Sequence, residues 1–217
     1  MKPIKIAGIS IFFLQLFLAF TLAVKTVDVR PIGPFSSEVG FAALNGFVYA
    51  LFGGYHPLLY AVTELLGLLP LLTALGFALL GASQLIRRRS FKKVDKDIYV
   101  LGGLYVLMLL IYLFFEQCPV NYRPSELGAG LESSYPSSHT LMAICVSASA
   151  VMQLRTRIRR APLRKTAVTF YYTLMLLIAA GRLLSGVHWC TDIIASLMLS
   201  GALIFGYSAA VAAHGES

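Results

Sequence analysis

Apolar residues dominate this chain in six blocks, near residues 4–24, 57–83, 98–117, 137–154, 166–186 and 191–211. Each block approaches the roughly 20 residues that a helix needs to cross the hydrocarbon core of a bilayer. Leu, Ala, Gly and Phe fill the blocks without alternating apolar and polar positions, so the pattern predicts six transmembrane helices and not the strands of a barrel. A shorter apolar stretch runs from Val39 to Phe52, after the N-cap signal Ser36-Ser37-Glu38 and before the stop Gly53-Gly54. It is too short to span and is expected to lie along the membrane surface. There it serves either as a connector packed on the bundle or as a side wall shaping lateral access for a lipid. The first block follows Lys2 and Lys5, as a signal peptide would. It is longer than the usual apolar region of about 7–15 residues, and no small-x-small cleavage pattern precedes Val24-Lys25, so it reads as an anchor. The expected fold is all-α: one polytopic domain over residues 1–217, with six spans and a short interfacial helix after the first.

Composition agrees. Charged residues make up 13% of the chain against 58% hydrophobic, where a soluble domain carries about 25% charged. The net charge of +8 is unevenly placed. Lys2 and Lys5 precede the first block. Arg87, Arg88, Arg89, Lys92, Lys93 and Lys96 fall between the second and third, and Arg155, Arg157, Arg159, Arg160, Arg164 and Lys165 between the fourth and fifth. Only Lys25, Arg30, Arg123 and Arg182 fall at the opposite ends. The positive-inside rule puts the Lys/Arg-rich loops and both termini in the cytoplasm. The basic loops then meet anionic lipid, and nucleic acid is not an expected partner. The short length and compact loops favour a bacterial plasma membrane. Cys118 and Cys190 fall near the outer ends of spans, where a disulfide is open to them, while Cys145 lies inside a span as packing. His56 reads as an interfacial loop residue, and His214 belongs to a polar tail. Tyr122, Tyr135 and Trp189 fit an interfacial aromatic belt that also lines whatever site lies there.

Three polar motifs stand at the outer ends of the blocks, where ionisable residues are costly and function is the default explanation. Arg182-Leu-Leu-Ser-Gly-Val-His188-Trp-Cys-Thr-Asp192 places His188 and Asp192 four apart, on one face if helical. A carboxylate there can accept one imidazole N–H and leave the other nitrogen free as a nucleophile. Pro136-Ser137-Ser138-His139 reads as the start of the fourth span, with Pro136 in its first turn. Free amides and the Ser137 and Ser138 hydroxyls make an anion site there, and His139, one turn in, is placed to act as a general acid. Arg123-Pro124 offers a guanidinium fork for phosphoryl oxygens. Each motif alone has a plainer reading: a capping pair, an ordinary N-cap, an arginine reaching for lipid phosphate. Their joint occurrence on one side, at one depth, favours a site.

Together these residues resemble the type 2 phosphatidic acid phosphatase superfamily, which includes undecaprenyl-diphosphate phosphatases and vanadium haloperoxidases. That family's pattern is Lys-x6-Arg-Pro, then Pro-Ser-Gly-His, then Ser-Arg-x5-His-x3-Asp. Arg123-Pro124 matches the end of the first, Pro136, Ser137 and His139 the second, and Arg182, His188 and Asp192 the third. The resemblance implies a lipid phosphatase that needs neither metal nor cofactor and acts on a membrane lipid. In it His188 would form a phosphohistidine and Asp192 would orient it. His139 would protonate the leaving group and then activate water, while Arg123, Arg182 and the Ser137–Ser138 amides would bind the equatorial oxygens.

Three positions depart from the pattern. Ser138 replaces Gly, and Gly181 replaces Ser before Arg182. Glu116 stands where the first motif has Lys, and the third block contains no lysine to restore the register. Glu116 could brace Arg123 or Arg182, favour a substrate of lower negative charge such as a diester with a cationic head group, or weaken the site. The alternatives to a phosphatase are therefore a phosphotransferase or head-group phosphodiesterase using the same histidine, and an inactive lipid-binding protein. Glu64, in the second block near its outer third, reads as a hydrogen-bonding or ion-pairing residue, with substrate contact as the alternative.

Overall fold

The computed structural model describes residues 2–126, 128 and 130–215; the side chain of His214 lies outside the described residues. Seven α-helices form among them: α1 (Pro3–Thr26), α2 (Ala42–Leu51), α3 (Pro57–Arg88), α4 (Lys96–Gln117), α5 (Ser138–Arg157), α6 (Ala161–Leu184) and α7 (Cys190–Gly215). No strand appears among the described residues, only two isolated bridges, Arg30 to Val39 and Tyr122 to Ser133. The all-α architecture expected from the apolar blocks is the one observed.

Five helices, α1, α3, α4, α6 and α7, are long and apolar enough to cross a membrane, where the block pattern predicts six. The difference is α5. At 20 residues it is long enough, but Ser, Thr, Cys, His and Gln interrupt its apolar positions. The cause is its place at the centre, packed against α3, α4, α6 and α7. Ser147, Ser149, Ala150 and Gln153 face neighbours instead of lipid, so α5 needs little of the apolar surface that the outer helices show. Leucines such as Leu14, Leu72, Leu110 and Leu176 are exposed on those outer helices, as a lipid-facing surface requires.

The interfacial helix α2 starts three residues later than Val39, and its cap is not the serine run. Ser36 ends a single 3-10 turn from Pro34, and Phe41 takes a left-handed conformation at the N-cap. Asp28 does the capping from a distance: its carbonyl accepts from Ala42 N–H at 2.9 Å and its carboxylate from Ala43 N–H at 2.7 Å. Gly40 is required where the chain turns back on α1, because a Cβ there would lie 1.6 Å from the Val24 carbonyl oxygen. Tyr135 and Trp189 are not belt residues. Both are buried; Tyr135 stacks on Phe17 at 6.3 Å between centroids and bonds Thr21 at 2.7 Å, fixing the approach to α5.

Contacts of Arg182 with His139, His188 with Ser134 and Asn121 with Asp192 gather the helix ends that carry the three motifs, while Arg88, Asp95 and Arg157 join the basic loops at the opposite helix ends. A polar network ties that basic end. Asp95, at the N-cap of α4, accepts from Arg88 Nη1 at 2.7 Å, Gln84 Nε2 at 2.8 Å and Arg157 Nη1 at 3.3 Å. Arg157 also pairs with Asp97 at 2.7 Å. These bonds, that from Arg88 first, hold the Asp95 carboxyl below its ordinary value of 3.8 against partial burial. Its contribution is complete above the unfolded value and fades as pH falls through the lower folded one. The melting-temperature gap between the wild type and Asp95→Asn in detergent should stay constant from pH 5 to 8 and narrow only below about pH 4.

Candidate active site

The turn between α6 and α7 delivers two of the expected residues. Gly186 lies at φ 68°, and a Cβ on it would come within 2.2 Å of the Gly54 carbonyl oxygen. The α2–α3 loop therefore presses directly onto this turn, and His56 N–H donates to the Ser185 carbonyl at 3.0 Å. His188 lies two residues before α7, and Asp192 lies in its first turn. The imidazole Nδ1 is 3.1 Å from the Ser134 carbonyl oxygen and 3.5 Å from Asp192 Oδ2. A carbonyl and a carboxylate can only accept, so the ring proton sits on Nδ1. Nε2 is left as a lone pair, buried and without a hydrogen-bond partner among the described residues. Asp192 is held by Trp189 N–H at 3.0 Å and Asn121 Nδ2 at 3.4 Å.

Asn45 anchors the start of α7 from α2, and nothing in the motifs pointed to it. Its fully buried amide donates to the Gly40 carbonyl at 2.8 Å and Thr191 Oγ1 at 3.0 Å, and accepts from Thr191 N–H at 3.2 Å. Cys190 also bonds to it at 3.2 Å, and all three cysteines are free, so Cys118 and Cys190 do not pair.

Ser137 is the N-cap of α5, so Pro136 stands before the helix and not in its first turn. The Ser137 hydroxyl accepts from Thr140 N–H at 3.4 Å and donates to Thr140 Oγ1 at 3.0 Å, while its amide donates to the Asp192 carbonyl at 3.3 Å. Both polar groups of Ser137 thus serve the fold. Ser138 and His139 border a cavity of about 380 Å³ between α3, α4 and α5. Leu71, Tyr105, Met108 and Met142 make its apolar part, and His188 and Glu116 reach its polar end.

Arg182, in the last turn of α6, is fully buried. Its Nη1 donates to Glu64 Oε1 at 2.7 Å and its Nη2 to His139 Nδ1 at 3.1 Å, while Nε has no partner among the described residues. Arg123 sits on a turn held by its own N–H donating to the Glu132 carbonyl at 2.9 Å. Its Nε lies 3.1 Å from Glu132 Oε2, an ion pair without hydrogen-bond geometry, and Nη1 has no partner among the described residues. Glu116 pairs with neither arginine: Glu64 holds Arg182 and Glu132 holds Arg123. The bracing reading of Glu116 is therefore replaced by these two carboxylates. Among the described residues no group of three or more His, Cys, Asp or Glu is placed to hold a metal ion.

Helices long and apolar enough to cross a membrane surround this cluster. The chain belongs to the PAP2 superfamily, whose family model matches residues 72–216. In fold it is similar to a transmembrane PAP2-type phosphatidylglycerolphosphate phosphatase from Bacillus subtilis, with TM-score 0.60 and 18% identity over 96% of this chain and 98% of that one. Aquifex aeolicus LpxE matches at TM-score 0.43 and 21% identity, over 80% of this chain and 96% of that one. No curated protein matches the sequence.

Burial, with the charges of Arg182 and Arg123 beside it, holds the His188 imidazole well below its ordinary value of 6.5. The folded protein keeps this ring neutral where the unfolded chain would protonate it. Stability is therefore lost as the pH drops below about 6.5 toward the depressed value. Against a His188→Gln protein, which has no such group, the wild-type melting temperature should lose ground between pH 6.5 and 5 and hold constant from pH 7 to 8.

Proposed function

We propose that this chain hydrolyses a phosphomonoester or diphosphate lipid at the extracytoplasmic membrane face, through a phosphohistidine on His188 and without a metal. One observation carries the reading: the buried Nε2 lone pair of His188, unpartnered among the described residues, with Nδ1–H committed to Ser134 and Asp192. Nε2 attacks phosphorus and the bond to the leaving oxygen breaks. His139, on the cavity border, gives that oxygen a proton and then takes one from the water that attacks the phosphohistidine. The free Arg182 Nε and Arg123 Nη1, with the Ser138 amide at the start of α5, bind the equatorial oxygens. The apolar cavity leading to His139 and His188 suits a lipid tail. The excess of Lys and Arg at the far end supports an outward-facing site with both termini inside.

A second reading has its own observation. Glu116 is exposed, lines the cavity and stands in the last turn of α4 with no cation in that turn. A carboxylate at a helix C-terminus is disfavoured, and a cationic head group on a phosphodiester would offset it. The same phosphohistidine would then pass its group to an alcohol or release a head group.

Purified protein incubated with phosphatidic acid, phosphatidylglycerol phosphate, a polyprenyl diphosphate and a phosphodiester lipid, with chelator present, separates the readings. Hydrolysis predicts phosphate release that survives chelation. It also predicts no detectable turnover in His188→Ala and a loss of about 10²–10⁴-fold in His139→Ala. A released or transferred head group, with no phosphate from any monoester or diphosphate, selects the second reading. Full activity in His188→Ala overturns both.

A further inference from the structure

Four residues on one stripe of α3 face the site, and none belongs to the three motifs. Tyr60, Thr63, Glu64 and Gly67 follow the i, i+3, i+4, i+7 spacing of a single helix face. The Tyr60 ring lies 5.3 Å from the guanidinium carbon of Arg182, and Thr63 Oγ1 lies 3.4 Å from Arg182 Nη1. Gly67 leaves room for the ring of His139: a Cβ there would meet its Cδ2 at 2.8 Å. Gly181, the residue that stands in place of the family serine, would meet the Thr63 methyl at 2.5 Å if it carried a Cβ. That departure from the pattern is the space α3 needs. All four stripe residues precede residue 72, where the family match begins.

Glu64 closes a ring of three side chains. Its Oε1 accepts from Arg182 Nη1 at 2.7 Å, Arg182 Nη2 lies 3.1 Å from His139 Nδ1, and His139 Nε2 lies 3.5 Å from Glu64 Oε2. The protons in this ring can be assigned. A guanidinium only donates, so His139 Nδ1 must be the acceptor, and the neutral ring carries its proton on Nε2. A carboxylate only accepts, so Glu64 favours that same tautomer from the other side. At 3.5 Å it directs the Nε2 proton without a short bond that a leaving oxygen would have to break. Glu64 is also the carboxylate that neutralises the fully buried Arg182.

We propose that Glu64 is the positioning residue of this site, clamping Arg182 through one oxygen and, through the other, holding the neutral His139 ring of the resting site with its Nε2–H as the hydrogen-bond donor toward the leaving oxygen. The kinetic part rests on the phosphatase reading above; the tautomer does not. If Glu64 acts through the proton donor, its loss should matter most where the leaving group needs a proton. Glu64→Gln keeps the size of the side chain and an acceptor for Arg182. On a short-chain phosphatidic acid, an alkyl leaving group, its kcat should fall about 100-fold with KM changed less than about threefold. On 4-nitrophenyl phosphate, whose leaving group departs without a proton, kcat should fall less than about threefold. Glu64→Asp should recover part of the loss on the lipid.

Nitrogen NMR of histidine-labelled wild type in detergent, with His139 assigned from a His139→Asn sample, should show the Nε2–H tautomer. Equal losses on the two substrates, or no loss on the lipid, would overturn the proposal, as would an Nδ1–H tautomer in the wild type. If no phosphate ester is turned over at all, the phosphatase reading fails, and the tautomer alone decides the placement of Glu64.

Discussion

A guanidinium removed from water and left unpaired is destabilising by several kcal/mol, and Arg182 is wholly enclosed at the end of α6. Meeting that demand arranges the surrounding helices. α3 must come close enough for Glu64 to reach it, which requires glycine at 181 and at 67. α5 must start where His139 can accept from Nη2. The aromatic face of Tyr60 covers the guanidinium. One buried cation thus fixes the meeting point of three helices. The lone pair of its Nη2 partner, His139 Nδ1, is consumed in the process, which leaves the other ring nitrogen for chemistry.

The His188 side follows the same economy of protons. His188 Nδ1–H has two acceptors, the Ser134 carbonyl and Asp192, so the carboxylate is not the sole orienting group that spacing alone suggests. Asp192 also caps the start of α7 through Trp189 N–H, and Asn45 bonds the adjoining residues from α2. The interfacial helix is therefore more than a connector: its buried asparagine holds the helix end that carries Asp192, the partner of His188. Deleting a membrane-surface element looks harmless from hydropathy, yet here it would release a buried hydrogen-bonding side chain from α7.

Much of this was readable in advance. Apolar runs of spanning length forced helices, since a bilayer leaves no other economical way to satisfy the backbone. Their alternation then placed Arg123, His139, Arg182 and His188 at one end before any contact was known. The failures share a cause: they depend on partners far along the chain. Asp28 caps α2 from 14 residues away in sequence, counting to Ala42, where only the neighbouring serines carried a cap signal. Tyr135 and Trp189 look interfacial by type, but a wedge of Phe17 and the turn before α7 bury them. α5 reads as an ordinary span, although its serines and Gln153 already mark a helix packed largely against its neighbours. Glu64 was legible as a pairing residue; which cation it holds was not, because the two lie 118 positions apart.

The two arginines differ in what a phosphate would have to displace. Glu132 is 47% exposed and its contact with Arg123 lacks hydrogen-bond geometry. An exposed pair of that kind contributes about 0–1 kcal/mol. Arg182 is bound to Glu64 at 2.7 Å with no exposed surface of its own, and breaking that pair would strand a buried charge. On the proposed reaction the substrate therefore exchanges with Glu132 at Arg123 and adds to Arg182 at its unpartnered Nε, leaving Glu64 in place. The absence of a lysine at 116 then matters less for holding Arg182 than for the total positive charge offered to a dianion. On that proposal Glu116, on the cavity border, and Glu64, beside His139, would make the site discriminate by charge as well as by the apolar tail.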